Sequence, residues 1–326
     1  MHVSKARART NIALVKYWGK RDGALNLPAV GSISMTLSSL HTTTEVGFDT
    51  RLSEDTVVIN GRPAQGRERE RVCAVLDVVR QTAGAGHRAA VRTENNFPTA
   101  SGLASSASGF AALAAAAARA AGLELPVSEL SRLARLGSGS APRSILGGFV
   151  ELPAGVLADG SDCVPREILP PDAWDVRLLV AVNGRAEKAV GSTEGMERTK
   201  GTSPYYRQWV ETHAADMQAA ADAIRARGIA RLGAVVESSC FKMHASMMAA
   251  TPPILYWNGA TVEVIRTVRD LRNAGLDAYV TIDAGPHVKV LCPAAQSSEI
   301  ADRIAKVDGV ERVIVERPGP GVEILT

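Results

Sequence analysis

Aromatic residues are scarce in this chain, at 4% of its 326 residues. That is too few for the base-stacking surfaces that bind single-stranded nucleic acid. Charge of one sign is not in excess either. Lys and Arg number 37 against 34 Asp and Glu, and the basic residues are spread along the sequence, so no nucleic-acid partner is expected. The four cysteines, Cys73, Cys163, Cys240 and Cys292, stand far apart and form no metal-type pair, which predicts reduced thiols. The histidines include no HExxH pair, and His213 and His244 read as ordinary helix residues. No apolar run reaches membrane-spanning length, so no membrane partner is expected. The polar, basic N-terminus lacks the apolar core of a secretory signal. A soluble cytoplasmic protein is the expectation.

What is present is a globular composition, 46% apolar and 22% charged, in a chain long enough for two domains or one large one. Strands are predicted at His41–Phe48, at Thr56–Ile59 before the hairpin signal Asn60-Gly61, and at His87–Thr93. Arg67–Gln81 places Val72, Val75, Leu76 and Val79 at helical spacing. An Ala-rich helix is expected from Phe110 to Ala121. Another opens at Pro126 with Ser128 as its cap and stops in the turn Gly137–Ser140. The loop Leu152–Asp172, rich in Pro, Gly and Asp, marks a boundary between residues 1–172 and 173–326. Beyond it come a strand at 176–182 and helices near 205–227, 228–249 and 260–274. Strands at 278–282 and 287–291, a helix at 294–307 and a strand at 310–316 complete the order. Strands and helices mix without a βαβα rhythm, which predicts an α+β fold.

Five polar clusters interrupt these elements. The stretch 97–109, FPTASGLASSASG, is a Gly- and Ser-rich turn running into the Ala-rich helix. A helix start offers unpaired N–H groups and partial positive charge, and Gly and Ser let the backbone cradle phosphates. It lacks the Lys-Ser/Thr ending of a Walker A loop. Asn11–Arg21 gathers the cations Lys16, Lys20 and Arg21 with the hydroxyl of Tyr17, a set suited to clamp a phosphorylated substrate. Gly137–Gly148 offers hydroxyls and Arg143, which can grip a carboxylate. Lys188–Met196 reads as a polar loop after a buried strand. Thr281–Val290 sets Asp283 between two apolar strands, before Ala-Gly-Pro.

Together these clusters resemble the GHMP kinase superfamily, and within it the diphosphomevalonate decarboxylases. NIALVKYWGKRD, LNLP, SISMTLS, ENNFPTASGLASSASGFAAL, RLGSGSAPRSILGGFVE, VGSTEGM, TSPYY and TIDAGPHVKV follow one another in the order and spacing of that family. The resemblance implies a ribosomal-protein-S5-like N-terminal domain, a ferredoxin-like C-terminal domain and an active site in the cleft between them. It implies ATP and Mg2+ as cofactors, mevalonate 5-diphosphate as substrate and a homodimer. Asp283 corresponds to the residue that orients the 3-hydroxyl and accepts its proton, and Arg143 to the one that holds the carboxylate. Asn11 supports this region and Lys188 neutralises transferred charge. Substrate contacts fall on Lys16, Tyr17, Trp18, Gly19, Lys20, Arg71, Ser138, Gly139, Ser140, Ala141, Pro142, Ser192 and Thr193. Nucleotide contacts fall on Asn96, Ser101, Gly102, Leu103, Ala104, Ser105 and Ser106, with Ser106 also near the metal.

Four positions depart from the family's commonest pattern. Ser101 stands where alanine is usual, Val30-Gly31 replaces Asn-Ser, Pro142 replaces cysteine and His287 replaces asparagine. Proline fixes φ and removes an N–H, so Pro142 could change how Arg143 is presented. Two rival readings are a sibling acting on mevalonate or a monophosphate, and a ligand sensor without turnover. Either is expected to have lost reactive residues, and Asp283, Arg143, Lys16 and Lys20 are all here.

Overall fold

The computed structural model describes residues 3–97, 105–184 and 190–325. A 13-residue strand, β1 (Val3–Val15), leads through the small hairpin β2 (Lys20–Asp22) and β3 (Leu27–Pro28) into an 18-residue strand, β4 (Ser32–Asp49). From Leu40 to Val46 burial alternates along β4, with Thr42 and Thr44 inward and His41, Thr43 and Glu45 turned outward, the period-two signature of a sheet covered on one face. Ser32–Leu37 is buried throughout, because another layer covers it there.

β5 (Thr56–Ile59) turns through Asn60 and Gly61 into β6 (Arg62–Pro63). Both turn residues have positive φ, 49° and 76°, as the predicted two-residue hairpin requires. The helix α1 (Gly66–Ala83) follows, buried at Val72, Val75, Leu76 and Val79 as their spacing predicts. Then come β7 (Arg88–Asn95), α2 (Ser105–Ala120), α3 (Val127–Gly137), a 3-10 turn over Ala141–Ser144, β8 (Phe149–Leu152) and β9 (Arg166–Leu169). The larger sheet runs β1, β4, β7, β5, β6, with β8 on β4 and β9 on β8; only β5 and β7 pair in parallel. α2 is buried almost all round, and its alanines let it lie close against β1, β4 and α3.

The second half supplies β10 (Val176–Val182), α4 (Ser192–Thr202), α5 (Tyr206–Arg225), α6 (Ile229–Met248) and α7 (Gly259–Asn273). β11 (Tyr279–Ile282), β12 (Val288–Pro293), α8 (Ser297–Ile304), β13 (Arg312–Glu316) and β14 (Glu323–Leu325) complete the chain. Its antiparallel sheet has the order β11, β12, β10, β13. β14 does not join it; it pairs with β1, so the C-terminal segment is built into the first sheet. The α+β class follows directly from this mixture.

The two sheets are not separate bodies. One core cluster combines Ile12, Leu14, Ile33 and Met35 of the first with Val176, Leu178 and Val180 of the second and Ile224 and Val236 of α5 and α6. A polar staple reinforces it. The buried carboxylate of Glu316 accepts the N–H groups of Ser38 and Ser39 (both 2.9 Å) and both hydroxyls.

Three local expectations need correction. Ser128 lies inside the first turn of α3 and does not cap it; Pro126 precedes the helix and no side chain caps it. The segment read as a polar loop contains α4, whose buried face is only Gly195, Met196 and Thr199, too little apolar content to register as a period. The helix expected at 294–307 is a 3-10 turn over Ala294–Gln296 followed by α8.

His213 and His244 are buried helix residues whose Nε2 atoms lie 2.8 Å from the Gly31 carbonyl and 3.2 Å from the Ile282 carbonyl. Burial pushes His213 down to about 4 and His244 to about 3 from an ordinary 6.5. Below about pH 6.5 the unfolded chain takes up protons that the folded chain refuses, so stability falls as pH falls towards 4. Urea unfolding at intervals from about pH 7 to about pH 4 is expected to show the loss. His213→Gln, which keeps a donor for Gly31, is expected to flatten the slope; an unchanged slope would remove the imidazole from the account.

Candidate active site

A cavity of about 480 Å³ opens where the end of β1, the β2–β3 hairpin and the starts of α2 and α4 meet the loop after β11. Asn11, Lys16, Tyr17, Trp18, Lys20 and Arg71 line it, together with Ser105, Ser106, Ser138, Gly139, Ser140, Arg143, Ser192, Thr193 and Asp283. Residues from five separate sequence clusters are thus in one place. Ser101, Gly102, Leu103, Ala104 and Lys188 lie outside the described residues.

Asp283 sits directly after β11, in the loop that turns towards β12. Its Oδ1 is 2.7 Å from Lys16 Nζ and its Oδ2 is 3.2 Å from Lys289 Nζ. Both lysines are only 1% exposed. Burial by itself would raise the carboxyl, but the two ammonium groups outweigh it and hold Asp283 well below the usual carboxylate range. Lys289 is itself pushed down by burial, with Asp283 acting the other way. Lys16 Nζ also donates to the Ala13 carbonyl (2.8 Å), which fixes the ammonium from the strand side. The loop is anchored from behind: the Pro286 carbonyl accepts from Asn183 Nδ2 (3.0 Å) and Thr261 Oγ1 (2.7 Å). His287 Nδ1 accepts the Asn183 N–H at 3.0 Å, so the unusual histidine serves as a buried brace.

Arg143 stands in the 3-10 turn, 2% exposed. Its Nε donates to Asn11 Oδ1 (3.2 Å) and one terminal nitrogen donates to the Ser32 hydroxyl. Asn11 is held in turn, donating to Ser144 Oγ (2.8 Å) and the Ser140 carbonyl (3.2 Å). Burial pushes the guanidinium down to about 10, opposed by Tyr17 and Asp283, so it stays cationic near neutrality. Pro142 does not disturb this. It occupies the second position of the 3-10 turn, where an N–H has no intrahelical partner to lose, and Ala141 supplies the N–H bonded to the Ser138 carbonyl (2.9 Å). Ala141 and Pro142 are buried behind Arg143 and do not line the cavity. At Gly31 a Cβ would meet the movable end of Met217 on α5 and lie 3.2 Å from the Leu152 carbonyl oxygen, a tight fit that does not by itself require glycine.

At the other end of the cavity the charge is positive. Lys20 donates to Asn26 Oδ1 (2.6 Å). Arg71 donates through Nε to the Gly137 carbonyl (2.9 Å) and lies 4.7 Å over the Phe110 ring. Arg67, one helical turn before Arg71, joins the lining. Burial lowers Lys20 and Arg71, and mutual repulsion with Arg67 lowers both further, the electrostatic signature of a place built for an anion. Sequence reasoning had passed over Arg67, Asn26 and Lys289. The signal for Arg67 was its i, i+4 spacing to Arg71; for Lys289 nothing but its alternation with the apolar residues of a strand was available.

Hydroxyls connect these ends. Ser106 Oγ lies 3.3 Å from Ser138 Oγ, which lies 3.2 Å from Ser140 Oγ. Ser192 and Thr193 open α4, whose first N–H groups point outward from the helix as any helix start does. The Tyr17 hydroxyl is buried without a hydrogen-bond partner among the described residues, and burial pushes it above the usual phenol range. Trp18 forms an apolar wall, its indole N–H donated to Thr199 (3.0 Å). Gly19 closes the turn before β2 with its carbonyl on the Ala29 N–H (3.0 Å) and does not line the cavity. Asn96 clips β7 to β4 through Ser39 and His41 and stands outside the cavity lining. A smaller apolar slot of about 120 Å³, bounded by Val57, Ile59, Val72 and Phe110, adjoins Ser105 and Ser106 and shares Arg71 with the main cavity.

Among the described residues no group of three or more His, Cys, Asp or Glu side chains could hold a metal. Magnesium bound through phosphates, keeping several waters and taking at most a hydroxyl from Ser106, fits that donor set.

Comparison with known proteins gives the same picture along both halves. Residues 8–165 match the model of the diphosphomevalonate decarboxylase-like N-terminal domain, and residues 178–316 that of the mevalonate 5-diphosphate decarboxylase C-terminal domain. The chain is 37% identical over 322 residues to the diphosphomevalonate decarboxylase of Aspergillus fumigatus, covering 93% of this chain and 80% of the relative. Its fold superposes on mevalonate diphosphate decarboxylase from Staphylococcus aureus with a TM-score of 0.94 at 39% identity, covering 100% of this chain and 98% of that one. With MDDEF solved in complex with MVAPP, AMPPCP and magnesium the TM-score is 0.92 at 38% identity, over 99% of each chain.

The geometry of the 3-10 turn makes one substitution informative. Pro142→Ala is expected to lower the unfolding free energy by about 1 kcal/mol or less, through unfolded-chain entropy alone. A larger loss in urea unfolding would mean that the ring itself holds the Arg143 turn.

Proposed function

The chain belongs to the diphosphomevalonate decarboxylase family, a GHMP kinase fold, and from that membership we propose how its cavity works. The reaction is ATP-dependent decarboxylation of mevalonate 5-diphosphate to isopentenyl diphosphate, with ADP, phosphate and carbon dioxide released. One observation carries the assignment of roles: a carboxylate clamped by buried ammonium groups and a buried guanidinium share one cavity whose far end is lined by Lys20, Arg67 and Arg71.

The tertiary 3-hydroxyl of the substrate is a poor leaving group, so it must be phosphorylated before it departs. Asp283 accepts the hydrogen bond of that hydroxyl and orients its oxygen towards the γ-phosphate. Phosphoryl transfer has a loose transition state, in which alignment is worth more than covalent help. Phosphate then leaves, cationic character develops at C3, and loss of carbon dioxide supplies the electron pair of the alkene. Arg143, fixed by Asn11 and Ser32, meets the C1 carboxylate with its remaining N–H groups. It orients the breaking bond in the plane where the alkene forms, and only the part of its grip that survives into the transition state speeds the step.

The diphosphate lies against Tyr17, Lys20, Ser138, Gly139 and Ser140, with Ser192 and Thr193 closing from α4. The ATP phosphates meet the segment 101–106 and the start of α2, where N–H groups and Ser105 and Ser106 offer donors. Arg67 and Arg71 stand between the two sets of phosphates, and the adjoining apolar slot takes the base. Bound magnesium would neutralise phosphate charge during transfer. Lys188 is assigned to the same neutralisation. The protein is read as a cytoplasmic homodimer; no helix among the described residues is long and apolar enough to cross a membrane, and light scattering of the pure protein reads the subunit number.

Incubation with Mg-ATP and mevalonate 5-diphosphate is expected to release ADP and carbon dioxide in equal amounts. ADP alone would mean that the reaction stops at the 3-phosphate; neither product would overturn the reading. Asp283→Asn keeps the shape but removes the charge and turns one acceptor oxygen into a donor, and is expected to lower turnover by at least about a hundredfold with ATP affinity little changed. Asn11→Ala unpins Arg143 and is expected to lower turnover by about tenfold or more, the scale of one hydrogen bond to a charged group. Native turnover in either variant would remove that residue from the mechanism.

A further inference from the structure

Lys289 is the least expected member of the cavity's charge cluster. It lies on β12, in register opposite Thr281 of β11, two residues before Asp283. It is 1% exposed, and its Nζ is 3.2 Å from Asp283 Oδ2, while Lys16 holds Oδ1 at 2.7 Å. The groups around this trio come from two other places in the fold. Cys240 and His244 face it from α6, both uncharged near neutrality because burial pushes the thiol up to about 11 and the imidazole down to about 3. Arg143 faces it from the 3-10 turn. Among the described residues, Asp283 is thus the one carboxylate of a cluster with three cations.

One ammonium would balance this carboxylate. Burying a second is costly and does not raise stability by itself, because desolvation consumes most of the attraction. What it does change is freedom. A carboxylate held through one oxygen can swing about its Cβ–Cγ bond; a second ammonium 3.2 Å from the other oxygen, fixed on a different element, restrains that swing as an ion pair without an aligned hydrogen bond. Each oxygen keeps a further lone pair for a hydroxyl.

We propose that Lys289 is a positioning residue for the decarboxylase reaction: its buried ammonium restrains the second oxygen of Asp283, so that the carboxylate presents one fixed face to the substrate hydroxyl. The proposal rests on the decarboxylase reading of the cavity. Lys289 acts through Asp283 and touches no substrate. Its removal slows the chemical step without loosening substrate, whereas the phosphate-facing cations Lys20 and Arg71 govern binding.

The test compares Lys289→Met, Lys289→Gln and Lys289→Arg in the full chain, with Mg-ATP and mevalonate 5-diphosphate, following carbon dioxide and thermal melting together. The native protein in the same assay separates the two claims, since no native turnover would sink the decarboxylase reading itself. With native turnover established, the neutral variants are expected to lose about tenfold or more in kcat, with KM for both substrates within about threefold of native. Lys289→Arg is expected to recover most of the rate, because it restores the charge. A neutral variant that folds and keeps native kcat, or whose loss lies in KM, would overturn the proposal. So would Lys289→Arg that melts like native yet stays as slow as Lys289→Met. Glutamine decides if methionine alone fails to fold, and failure of both neutral variants to fold would assign the ammonium to folding and overturn the proposal.

Discussion

The Lys16–Asp283 contact joins residues 267 apart in sequence, the end of the leading strand of one sheet and the loop of the other. Its two partners are placed by different kinds of force. Lys16 follows a strand paired along its length with β4 and, near its start, with β14, and its backbone N–H is tied to Ser239 of α6 (3.0 Å). Asp283 ends a strand fixed on β12, with its loop stapled to Asn183 and Thr261. The cavity exists because these two anchored segments are brought face to face by a shared apolar core. If Ile12 and Leu14 did not pack with Leu178 and Val180, the carboxylate would have no ammonium to meet.

That arrangement divides the labour between hydrophobic and polar contacts. Apolar packing between the sheets supplies the free energy that keeps charged groups out of water, since a buried ion pair seldom stabilises on its own account. The polar contacts fix direction: Asn11 and Ser32 aim Arg143, Ala13 aims Lys16, and Glu316 ties β13 to the bend of β4. At the opposite end the cations repel one another, which leaves unsatisfied attraction for an anionic ligand. A rigid carboxylate end and a cation-rich phosphate end are what a reaction needs when one part of the substrate must be aligned and another merely held.

Much of this was legible in the order of residues, for identifiable reasons. α1 stood out because burial on one face leaves a helical period, and β10 because burial on both faces leaves a short, almost unbroken apolar run. The Asn60-Gly61 hairpin was legible because few dipeptides accept two positive φ angles. α4 was not, since a helix that buries only three residues carries no period to read. Ser128 illustrates the limit of a local rule: serine near a helix start suggests a cap, but the cap position falls on Pro126, two residues earlier.

Residue types and their chemistry, the family resemblance and the alternation of elements were determined by the sequence alone, because each is a property of neighbours along the chain. Asn11, Lys16, Arg143, Ser192 and Asp283 could be nominated from it as members of motifs. Which oxygen of Asp283 meets which lysine, that Arg67 shares the cavity while Asn96 does not, and that Pro142 leaves the Arg143 turn intact were decided only by tertiary structure. The physical reason is the same in each case. A hydrogen bond or ion pair depends on distances of a few ångströms between segments far apart in sequence, and those distances are set by how two sheets pack, which no local pattern encodes.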